Sequence, residues 1–377
     1  MQTDPMKVLV IGAGGMAGRH LRRLLEIDWF KVAAVAEAHP ERDDAREGLA
    51  LATAGGAKIF TDYRAMLDQM DSEAVFIGTP HFLHLPMIKA ALERGRHVFC
   101  EKPVAPTVEA CERIVRARDR SGRVVSIGFQ HVGHANARWL KELIAGGGLG
   151  RIVEVVAVMP NYRPESYYER STWVGKMKVG QEWCLDGALS NQMVHFINQS
   201  MFFASTRDAP HVSGLTPGST VSALYRAHET PALEMDDLGV FRCRLEGDVR
   251  FFCVATTALL GGGTLTIEIV GEKGRALYDG RGIVWQNGRE PTVHDEADEK
   301  DYLYENFYRA VRAGVAPLSP LDEAVKCVAV LESAFQAADY KIKKIRWEDC
   351  ANLRELLHES AQYRCLFSEL RDAPAWA

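Results

Sequence analysis

A lysine inside a Glu-Lys-Pro turn is the clearest indication of chemistry in this chain. Glu101, Lys102 and Pro103 directly follow a short apolar run, His97–Cys100. Proline restricts its own backbone and that of the preceding residue, so Lys102 is held in a narrow set of directions. An ammonium group held in this way can hydrogen-bond a substrate oxygen and stabilise negative charge that develops on it. A solvated surface lysine is the alternative interpretation of this motif taken alone.

A second candidate pair consists of Asn191 and His195. Gly187 is expected to open a helix that carries both, and the i, i+4 spacing puts them on one helical face. An imidazole titrates near neutral pH and suits proton transfer, and a neighbouring amide can hold it in one orientation. A histidine on a helix can equally be structural.

Upstream of this helix, residues 161–183 are rich in aromatic side chains and poor in aliphatic ones. Aromatic faces together with an arginine suit the binding of a sugar or another polyol. A loop that packs its aromatic residues on a sheet would explain the same composition. The candidate substrate-binding residues here are Tyr162, Arg163, Tyr168, Trp173 and Trp183.

The elements around the Glu-Lys-Pro turn predict a βαβ unit. Ala74–Ile77 and His97–Cys100 are short apolar runs, and the segment between them has the periodicity of an amphipathic helix. In a parallel sheet the ligand crevice lies at the carboxyl ends of the strands. Thr79-Pro80 and Glu101-Lys102 both fall at such ends.

A glycine-rich loop near the N-terminus predicts a dinucleotide site. A buried-type strand, Lys7–Ile11, runs into a G-x-G-x-x-A segment that opens a helix. Its first glycine permits a tight turn, its second lets a pyrophosphate approach the backbone, and its alanine lets the helix pack closely. A plain tight turn is the competing interpretation. The residues concerned are Gly12, Gly14, Gly15, Met16 and Ala17.

The next strand, Val32–Ala36, ends in Glu37, at the spacing where a carboxylate binds the ribose of an adenosine. Its charge would repel a 2′-phosphate and therefore favours NAD over NADP. Arg42 lies close enough in sequence to leave NADP as the alternative.

Composition excludes several classes of protein. With 377 residues, of which 47% are hydrophobic, the chain can bury a large core and suggests about two domains. No apolar run is long enough to span a bilayer, and Met1–Lys7 lacks a signal-peptide pattern, so a cytoplasmic location is expected. The eight cysteines lack metal-ligand spacing, and a net charge of −5 gives no footprint for nucleic acid. We therefore expect no metal site, no membrane contact and no nucleic-acid partner.

The alternation of strands and helices ends near residue 128. Longer strands then follow, and the alternating pattern Phe241-Arg242-Cys243-Arg244-Leu245 is typical of an antiparallel sheet with one covered face. We predict an α/β fold in which 1–128 is a doubly wound parallel domain, 129–349 is an α+β domain with a large open, mostly antiparallel sheet, and 350–377 is a helical extension. The exposed sheet face predicts self-association.

Together these ordered motifs resemble the Gfo/Idh/MocA oxidoreductases. The resemblance covers about residues 7–347 and implies a Rossmann domain, NAD or NADP as cofactor, sugars or cyclitols as substrates, and homodimers or homotetramers. It also implies that Lys102 and His195 act on the substrate hydroxyl during hydride transfer. Cofactor contacts beyond the glycine loop and Glu37 are expected from Thr79, Pro80, His84, Glu101, Lys102 and Gln130.

The chain departs from the family pattern at one site position. Many members carry aspartate in a D-x-x-x-H motif where this chain has Asn191, and an amide cannot accept a proton as a carboxylate can. We therefore expect Asn191 to orient other groups. Two other functions stay open: an NAD-dependent glycosidase or lyase that oxidises a glycoside transiently, and a regulator that binds dinucleotide without catalysis.

Overall fold

The computed structural model describes residues 4–280, 282–287, 292–294 and 301–346. The chain divides into two compact units, Met1–Gln130 with Lys300–Val328 and His131–Glu299 with Ala329–Ala377. Residues Lys300–Val328, which the sequence analysis assigned to the second domain, thus belong to the first unit. The predicted extension at 350–377 lies outside the described residues, and the three domain boundaries stay predictions.

The first unit is built on a six-stranded parallel sheet flanked by helices. Its strands are β1 (Met6–Ile11), β2 (Phe30–Ala36), β3 (Lys58–Phe60), β4 (Ala74–Ile77), β5 (His97–Cys100) and β6 (Val125–Ile127). Its first five helices are α1 (Gly15–Glu26), α2 (Asp43–Ala54), α3 (Tyr63–Gln69), α4 (His84–Glu93) and α5 (Val108–Ser121). The strand order β3-β2-β1-β4-β5-β6 is that of dinucleotide-binding folds, which confirms the predicted Rossmann sheet.

The second unit is built on a nine-stranded sheet. Its helices are α6 (Ala135–Ala145), α7 (Glu165–Glu169) and α8 (Val194–Ala204). Its strands are β7 (Ile152–Pro160), β8 (Lys178–Val179), β9 (Glu182–Trp183), β10 (Val221–Arg226), β11 (Leu238–Leu245), β12 (Val249–Thr256), β13 (Thr266–Gly271), β14 (Arg275–Tyr278), β15 (Ile283–Gln286), β16 (Thr292–His294) and β17 (Ile342–Lys344). The chain also contains α9 (Tyr302–Ala313) and α10 (Leu321–Ala337).

The sheet of the second unit has the order β16-β15-β14-β13-β7-β12-β11-β10-β17, and β8 and β9 form a separate hairpin. Neighbouring strands are antiparallel except for the parallel pairs β7 with β12 and β10 with β17. The mostly antiparallel sheet that the sequence predicts is therefore confirmed.

One face of this sheet is covered by α8. On β13 the inward-facing Ile267 and Ile269 have no exposed surface, and Tyr278 on β14 packs edge-on against Phe203 of α8 at 5.5 Å. Residues of the opposite face alternate with these, as a two-residue period requires. There β13 carries Glu268, which is 4% exposed, and burial raises the pKa of this carboxyl to about 7.

Aromatic packing holds α9 in the first unit. Phe307 of α9 contacts Phe76 of β4 and Phe99 of β5 at ring distances of 5.4 and 5.7 Å, and the two strand rings stack at 4.9 Å. Such pairs contribute about 0.5–1.5 kcal/mol each beyond burial. This packing explains why a helix so late in sequence belongs to the Rossmann unit.

In the part of the chain that the structure describes, no helix is long and apolar enough to cross a membrane.

A buried lysine from another helix caps the C-terminal end of α8. The ammonium group of Lys141, on α6, is 1% exposed and donates to the carbonyl oxygens of Phe202 at 2.6 Å, Ser205 at 2.8 Å and His211 at 3.2 Å. Carbonyl groups at a helix end carry partial negative charge and lack partners within the helix. Lys141 supplies both the positive charge and the donors.

We expect Lys141→Met to lower the free energy of unfolding by about 2–4 kcal/mol, because buried carbonyls lose their donors while side-chain volume is nearly kept. Chemical denaturation monitored by circular dichroism measures this. Lys273→Met, a change at an exposed lysine of the same unit, is the control and should stay within about 0.5 kcal/mol. Equal stability of the two variants would contradict the role assigned to Lys141.

Candidate functional site

The glycine loop brings the ends of β1 and β4 close to the start of α1. Gly12 has φ +100°, and a Cβ there would lie 3.0 Å from the Cβ of Ala17. A Cβ at Gly78, which follows β4, would lie 2.7 Å from the same atom. Gly78 was not predicted, although its place after an apolar strand was a usable signal. The loop therefore needs small residues at all three positions so that α1 can begin beside β1 and β4.

Gly14 precedes α1, and the first N–H groups of a helix lack partners within it, which favours an anion at this end. A carboxylate already lies there: a Cβ at Gly14 would be 2.5 Å from Oδ2 of Asp44. Asp44 is an exposed residue on α2, so its side chain can rotate away from a ligand. An open glycine backbone at a helix start fits a pyrophosphate group.

Glu37 follows β2 and faces the same loop. Its Oε2 accepts the N–H of Ala13 at 2.8 Å, and its Oε1 accepts the N–H of His39 at 2.9 Å. Each carboxylate oxygen has two lone pairs, so the group retains acceptor capacity for ribose hydroxyls. Nearby, the guanidinium of Arg42 donates to Asp44 at 2.6 Å.

The Glu-Lys-Pro turn follows β5 and is anchored by a buried carboxylate. Glu101 is 4% exposed, and its Oε1 lies 2.6 Å from Nε2 of His20, while its Oε2 accepts the N–H of Lys102 at 3.3 Å. Burial alone would raise the pKa of Glu101, but the hydrogen bond and charge of His20 and the charge of Lys102 outweigh it, so this pKa is lowered. Glu101 therefore stays ionised and acts as an acceptor.

His20 and Tyr304 complete this network, and neither was predicted from the sequence. Nδ1 of His20 lies 2.7 Å from the hydroxyl of Tyr304 on α9. Because a carboxylate can only accept, His20 donates from Nε2 to Glu101, and its Nδ1 faces the hydroxyl of Tyr304. The sequence did contain a signal for His20, because it is a histidine on the apolar face of α1, one turn after Ala17. Tyr304, almost 300 residues later, gave no comparable signal.

His84 joins the two turns that contain the other predicted cofactor residues. It has no exposed surface, and its Nε2 lies 2.9 Å from the carbonyl oxygen of Thr79, while its Nδ1 lies 3.0 Å from that of Pro103. Burial lowers the pKa of His84 despite these carbonyl contacts. The structure thus places His84 behind the Thr79-Pro80 turn as a bridge. Gln130 lies half-buried in a short 3₁₀ helix after β6.

In the second unit the predicted helix from Gly187 to His195 is divided. Ala188–Gln192 is a π-helical turn, and α8 begins at Val194. Asp236 anchors the turn, since its carbonyl accepts the N–H of Ala188 at 2.8 Å and its side chain accepts that of Leu189 at 3.1 Å. Burial raises the pKa of Asp236 to about 7. Gly187 is required here, because a Cβ would lie 2.0 Å from Oδ1 of Asp236.

His195 lies in the first turn of α8 and is 8% exposed. Its ring stacks on that of His131 with centroids 4.5 Å apart and planes 11° apart. The carbonyl of His131 accepts from Gln199 at 2.9 Å, which ties this ring to the next turn of the same helix. The stack restricts the imidazole of His195 to one plane.

Asn191 is paired with a carboxylate that the sequence analysis did not identify. Its Nδ2 donates to Oδ1 of Asp186 at 2.6 Å, and Oδ2 of Asp186 accepts the N–H of Gly175 at 2.8 Å. The acceptor-only carboxylate fixes which way the amide points. The negative charge missing from position 191 is thus present in the adjacent side chain.

The five aromatic and arginine residues predicted to bind substrate lie in different surroundings. Arg163 donates to Gln192 at 3.2 Å and so lies next to the Asn191 turn. Tyr168 is buried and hydrogen-bonds Thr257 at 2.7 Å, which makes it part of the core. Tyr162 is 37% exposed. Trp173 is half-buried, and its carbonyl oxygen lies 3.5 Å from Sγ of Cys184. The ring of Trp183 stacks on that of Tyr340 at 5.2 Å, and Nζ of Lys178 lies 4.2 Å from the Trp183 ring.

No group of three or more His, Cys, Asp or Glu side chains in the described ranges has the arrangement of a metal site.

The chain matches two protein-family models. Residues 6–129 match the family described as "Oxidoreductase family, NAD-binding Rossmann fold", and residues 137–277 match "GFO/IDH/MocA C-terminal domain". Over 213 residues the chain is 30% identical to the inositol 2-dehydrogenase of Salmonella typhimurium, covering 54% of this chain and 61% of that protein. Over 146 residues it is 40% identical to that of Streptomyces avermitilis, covering 38% and 41%. The chain thus spans less than two thirds of the length of these relatives.

Solved structures share the fold over most of the chain. The WlbA dehydrogenase from Bordetella pertussis, in complex with NADH and UDP-GlcNAcA, is 24% identical with a TM-score of 0.73, covering 89% of this chain and 97% of that one. An inositol dehydrogenase homologue from Azotobacter vinelandii, complexed with NAD+, is 18% identical with a TM-score of 0.75, covering 90% and 96%. Together with the two family matches and the strand order of the first unit, these likenesses lead to one conclusion: the chain belongs to the Gfo/Idh/MocA oxidoreductase family and contains its NAD-binding Rossmann domain.

Proposed function

We propose that this protein is an NAD-dependent dehydrogenase that oxidises a hydroxyl-bearing carbon of a sugar, cyclitol or related polyol, or reduces the corresponding carbonyl. The observation that carries the proposal is the Lys102 turn, which an ionised, buried Glu101 holds in place after a strand of an NAD-binding sheet. The inositol 2-dehydrogenase relatives support the class of substrate. When bound, the nicotinamide supplies the hydride acceptor.

The first unit would hold the cofactor through its glycine loop and Glu37. Gly12, Gly14 and Gly15 leave the backbone open to the pyrophosphate, and Glu37 would accept from the ribose hydroxyls. Two features favour NAD over NADP. Glu37 places negative charge at the ribose position, and Arg42, the residue that could bind a 2′-phosphate, is already paired with Asp44.

In this mechanism Lys102 hydrogen-bonds the substrate oxygen and stabilises its developing negative charge. The backbone of Lys102 is held by Glu101, so the ammonium group needs little reorganisation when charge develops. Regulators that only bind dinucleotide do not need such a residue, and the anchoring network therefore supports an enzyme.

His195 takes the hydroxyl proton in the proposed mechanism. Its stack on His131 limits its orientation, and Asn191 is oriented in turn by Asp186. Asn191 accepts no proton itself. It positions neighbouring groups, and the carboxylate of Asp186 supplies the negative charge that position 191 lacks.

We further propose that the protein self-associates through the open face of the nine-stranded sheet. On this face the buried Val240 and Val254 are packed against by the partly buried Tyr225 and Phe252, and these two partly buried rings give the face apolar character. This proposal rests on the exposed-sheet argument and on the family resemblance.

The first prediction from the proposed function concerns cofactor choice. Wild-type protein should bind NAD at least about tenfold more tightly than NADP, and Asp44→Ala should reduce that ratio severalfold, because it removes a charge and releases Arg42. Isothermal titration calorimetry with both cofactors measures the ratio. Glu41→Gln, at an exposed acid beside Arg42, is the control. Equal or tighter binding of NADP by the wild type would contradict the assignment of Glu37.

The second prediction concerns the two catalytic residues. Lys102→Met and His195→Ala should each lower turnover by roughly 10²-fold or more while NAD affinity is nearly kept, since both act on the substrate oxygen. NAD reduction with a panel of sugars and inositols measures turnover, and net reduction of free NAD separates a dehydrogenase from a glycosidase that recycles its cofactor. Lys31→Met and His39→Ala are matched changes at exposed positions. Full activity of His195→Ala would refute the mechanism.

The third prediction uses the Asp186 and Asn191 pair. Asn191→Asp should lower kcat/KM more than about tenfold, because two adjacent carboxylates repel and the amide donor is lost. The exchanged double variant Asp186→Asn with Asn191→Asp restores one donor and one carboxylate, and it should recover to within about tenfold of wild type. Steady-state kinetics at several pH values tests this. A double variant no more active than Asn191→Asp would show that the pair is not a unit.

A further inference from the structure

Two arginines lie against one tyrosine in the segment before the Asn191 turn. The guanidinium carbon of Arg163 lies 5.1 Å from the ring centre of Tyr167, and that of Arg170 lies 4.0 Å from it. Arg163 and Tyr167 are half-buried and Arg170 is exposed. Two like charges are therefore held beside the same ring.

Gln192 connects this group to the candidate catalytic turn. Its Oε1 accepts from both Nε and Nη2 of Arg163 at 3.2 Å, and its Nε2 donates to the hydroxyl oxygen of Tyr167. Since arginine only donates, the amide of Gln192 can point in no other way. Gln192 directly follows Asn191, so the two arginines are tied to the turn that begins the His195 helix.

The hydroxyl of Tyr167 points to an acceptor that the described residues do not supply. Its oxygen already accepts from Gln192 and from Nη2 of Arg170 at 3.0 Å, and both partners are donors. Its own hydrogen must therefore donate elsewhere. Burial raises the pKa of Tyr167, so the phenol keeps this hydrogen at neutral pH.

The neighbouring carboxylates are used in other contacts. Glu165 accepts the N–H groups of Glu229 at 2.9 Å and Thr230 at 3.1 Å, and Glu169 accepts from the hydroxyl of Thr230 at 3.0 Å. Asp186 is occupied by Asn191 and Gly175, as described above. Within the described part of the chain, neither Arg163 nor Arg170 forms an ion pair with a carboxylate. Two guanidinium groups and one phenol hydrogen thus form a set of donors without an anion.

We propose that Arg163, Tyr167 and Arg170 form an oxyanion subsite that binds a carboxylate or phosphate group of the substrate. This inference rests on the proposed function and narrows it, because the substrate would be an acidic sugar or a sugar phosphate and not a neutral polyol. Guanidinium groups bind both oxyanions through paired N–H donors, and such charge-assisted bonds are about twice as strong as neutral ones. The anion would also relieve the repulsion between the two arginines.

The experiment compares one neutral and two anionic probes of the same sugar. NAD reduction is measured with D-glucose, D-glucuronate and glucose 6-phosphate for the wild type and for Arg163→Gln, Arg170→Gln and Tyr167→Phe. Binding of D-glucuronate and of inorganic phosphate is measured separately by calorimetry, which does not depend on turnover. Arg207→Gln removes the same charge from an exposed position of the same unit and is the control.

We expect at least one anionic probe to be preferred, with its kcat/KM relative to glucose falling about tenfold in each arginine variant, mainly through KM. Anion affinity should fall to a similar extent in the arginine variants and less in Tyr167→Phe. Preference for glucuronate identifies a carboxylate ligand, and preference for glucose 6-phosphate identifies a phosphate. Anion binding that is undetectable, or equal in wild type and Arg170→Gln, would overturn the subsite. Arginine-dependent anion binding, with no NAD reduction by these three compounds or by the panel of sugars and inositols, would retain the subsite and reject the proposed dehydrogenase activity.

Discussion

The carboxylate of Glu101 is removed from water, and a charge in such a place persists only if its oxygens are satisfied. His20 comes from the helix that begins at the glycine loop, and Tyr304 comes from a helix late in the chain. One buried charge therefore connects the start of the Rossmann fold, the turn after its fifth strand and the helix α9. This connection accounts for the grouping of residues 300–328 with the first unit, and it holds the backbone at Lys102 in place, as the role proposed for its ammonium group requires.

Buried carboxylates have a comparable part in the second unit, with a different electrostatic result. The carboxylate of Asp236 accepts one N–H group of the π-helical turn, that of Leu189, but burial dominates and raises its pKa to about 7. Asp186 lies beside Asn191 and is satisfied by an amide and a backbone N–H. The turn before α8 is thus enclosed by acidic groups, while positive charge is placed one residue further on, beside Gln192. This separation of charge gives the turn an acidic and a basic side.

Much of the fold could be predicted because local patterns determine it. The strands Ala74–Ile77 and His97–Cys100 have the bounds that their short apolar runs predicted, since each run lies between clear breaks. The parallel pairing of β7 with β12 was not predicted, because strand partners distant in sequence leave no local signal. The helix expected from Gly187 was divided because Asp236, a partner from another part of the chain, holds its first turn.

The candidate site, like the fold, was predictable only where local patterns determine it. The glycine loop and Glu37 were predicted from spacing alone, because one βαβ unit, formed by β1, α1 and β2, positions both of them. His20, Asp186 and Tyr167 were not assigned roles, since each acts through a partner that only the folded chain brings near. A sequence pattern identifies residues that touch a ligand more readily than residues that hold those residues in place.

The bridge formed by His84 has a consequence for motion. One imidazole without exposed surface lies within hydrogen-bonding distance of a carbonyl oxygen in the turn after β4 and of another in the turn after β5, so displacing either turn disturbs the ring that both turns contact. The two turns should therefore fluctuate together, as a single body at the edge of the sheet. A ligand that reduces the fluctuations of the Thr79-Pro80 turn would then also reduce those of the backbone around Lys102. Binding of a first ligand would therefore order the protein for a second one.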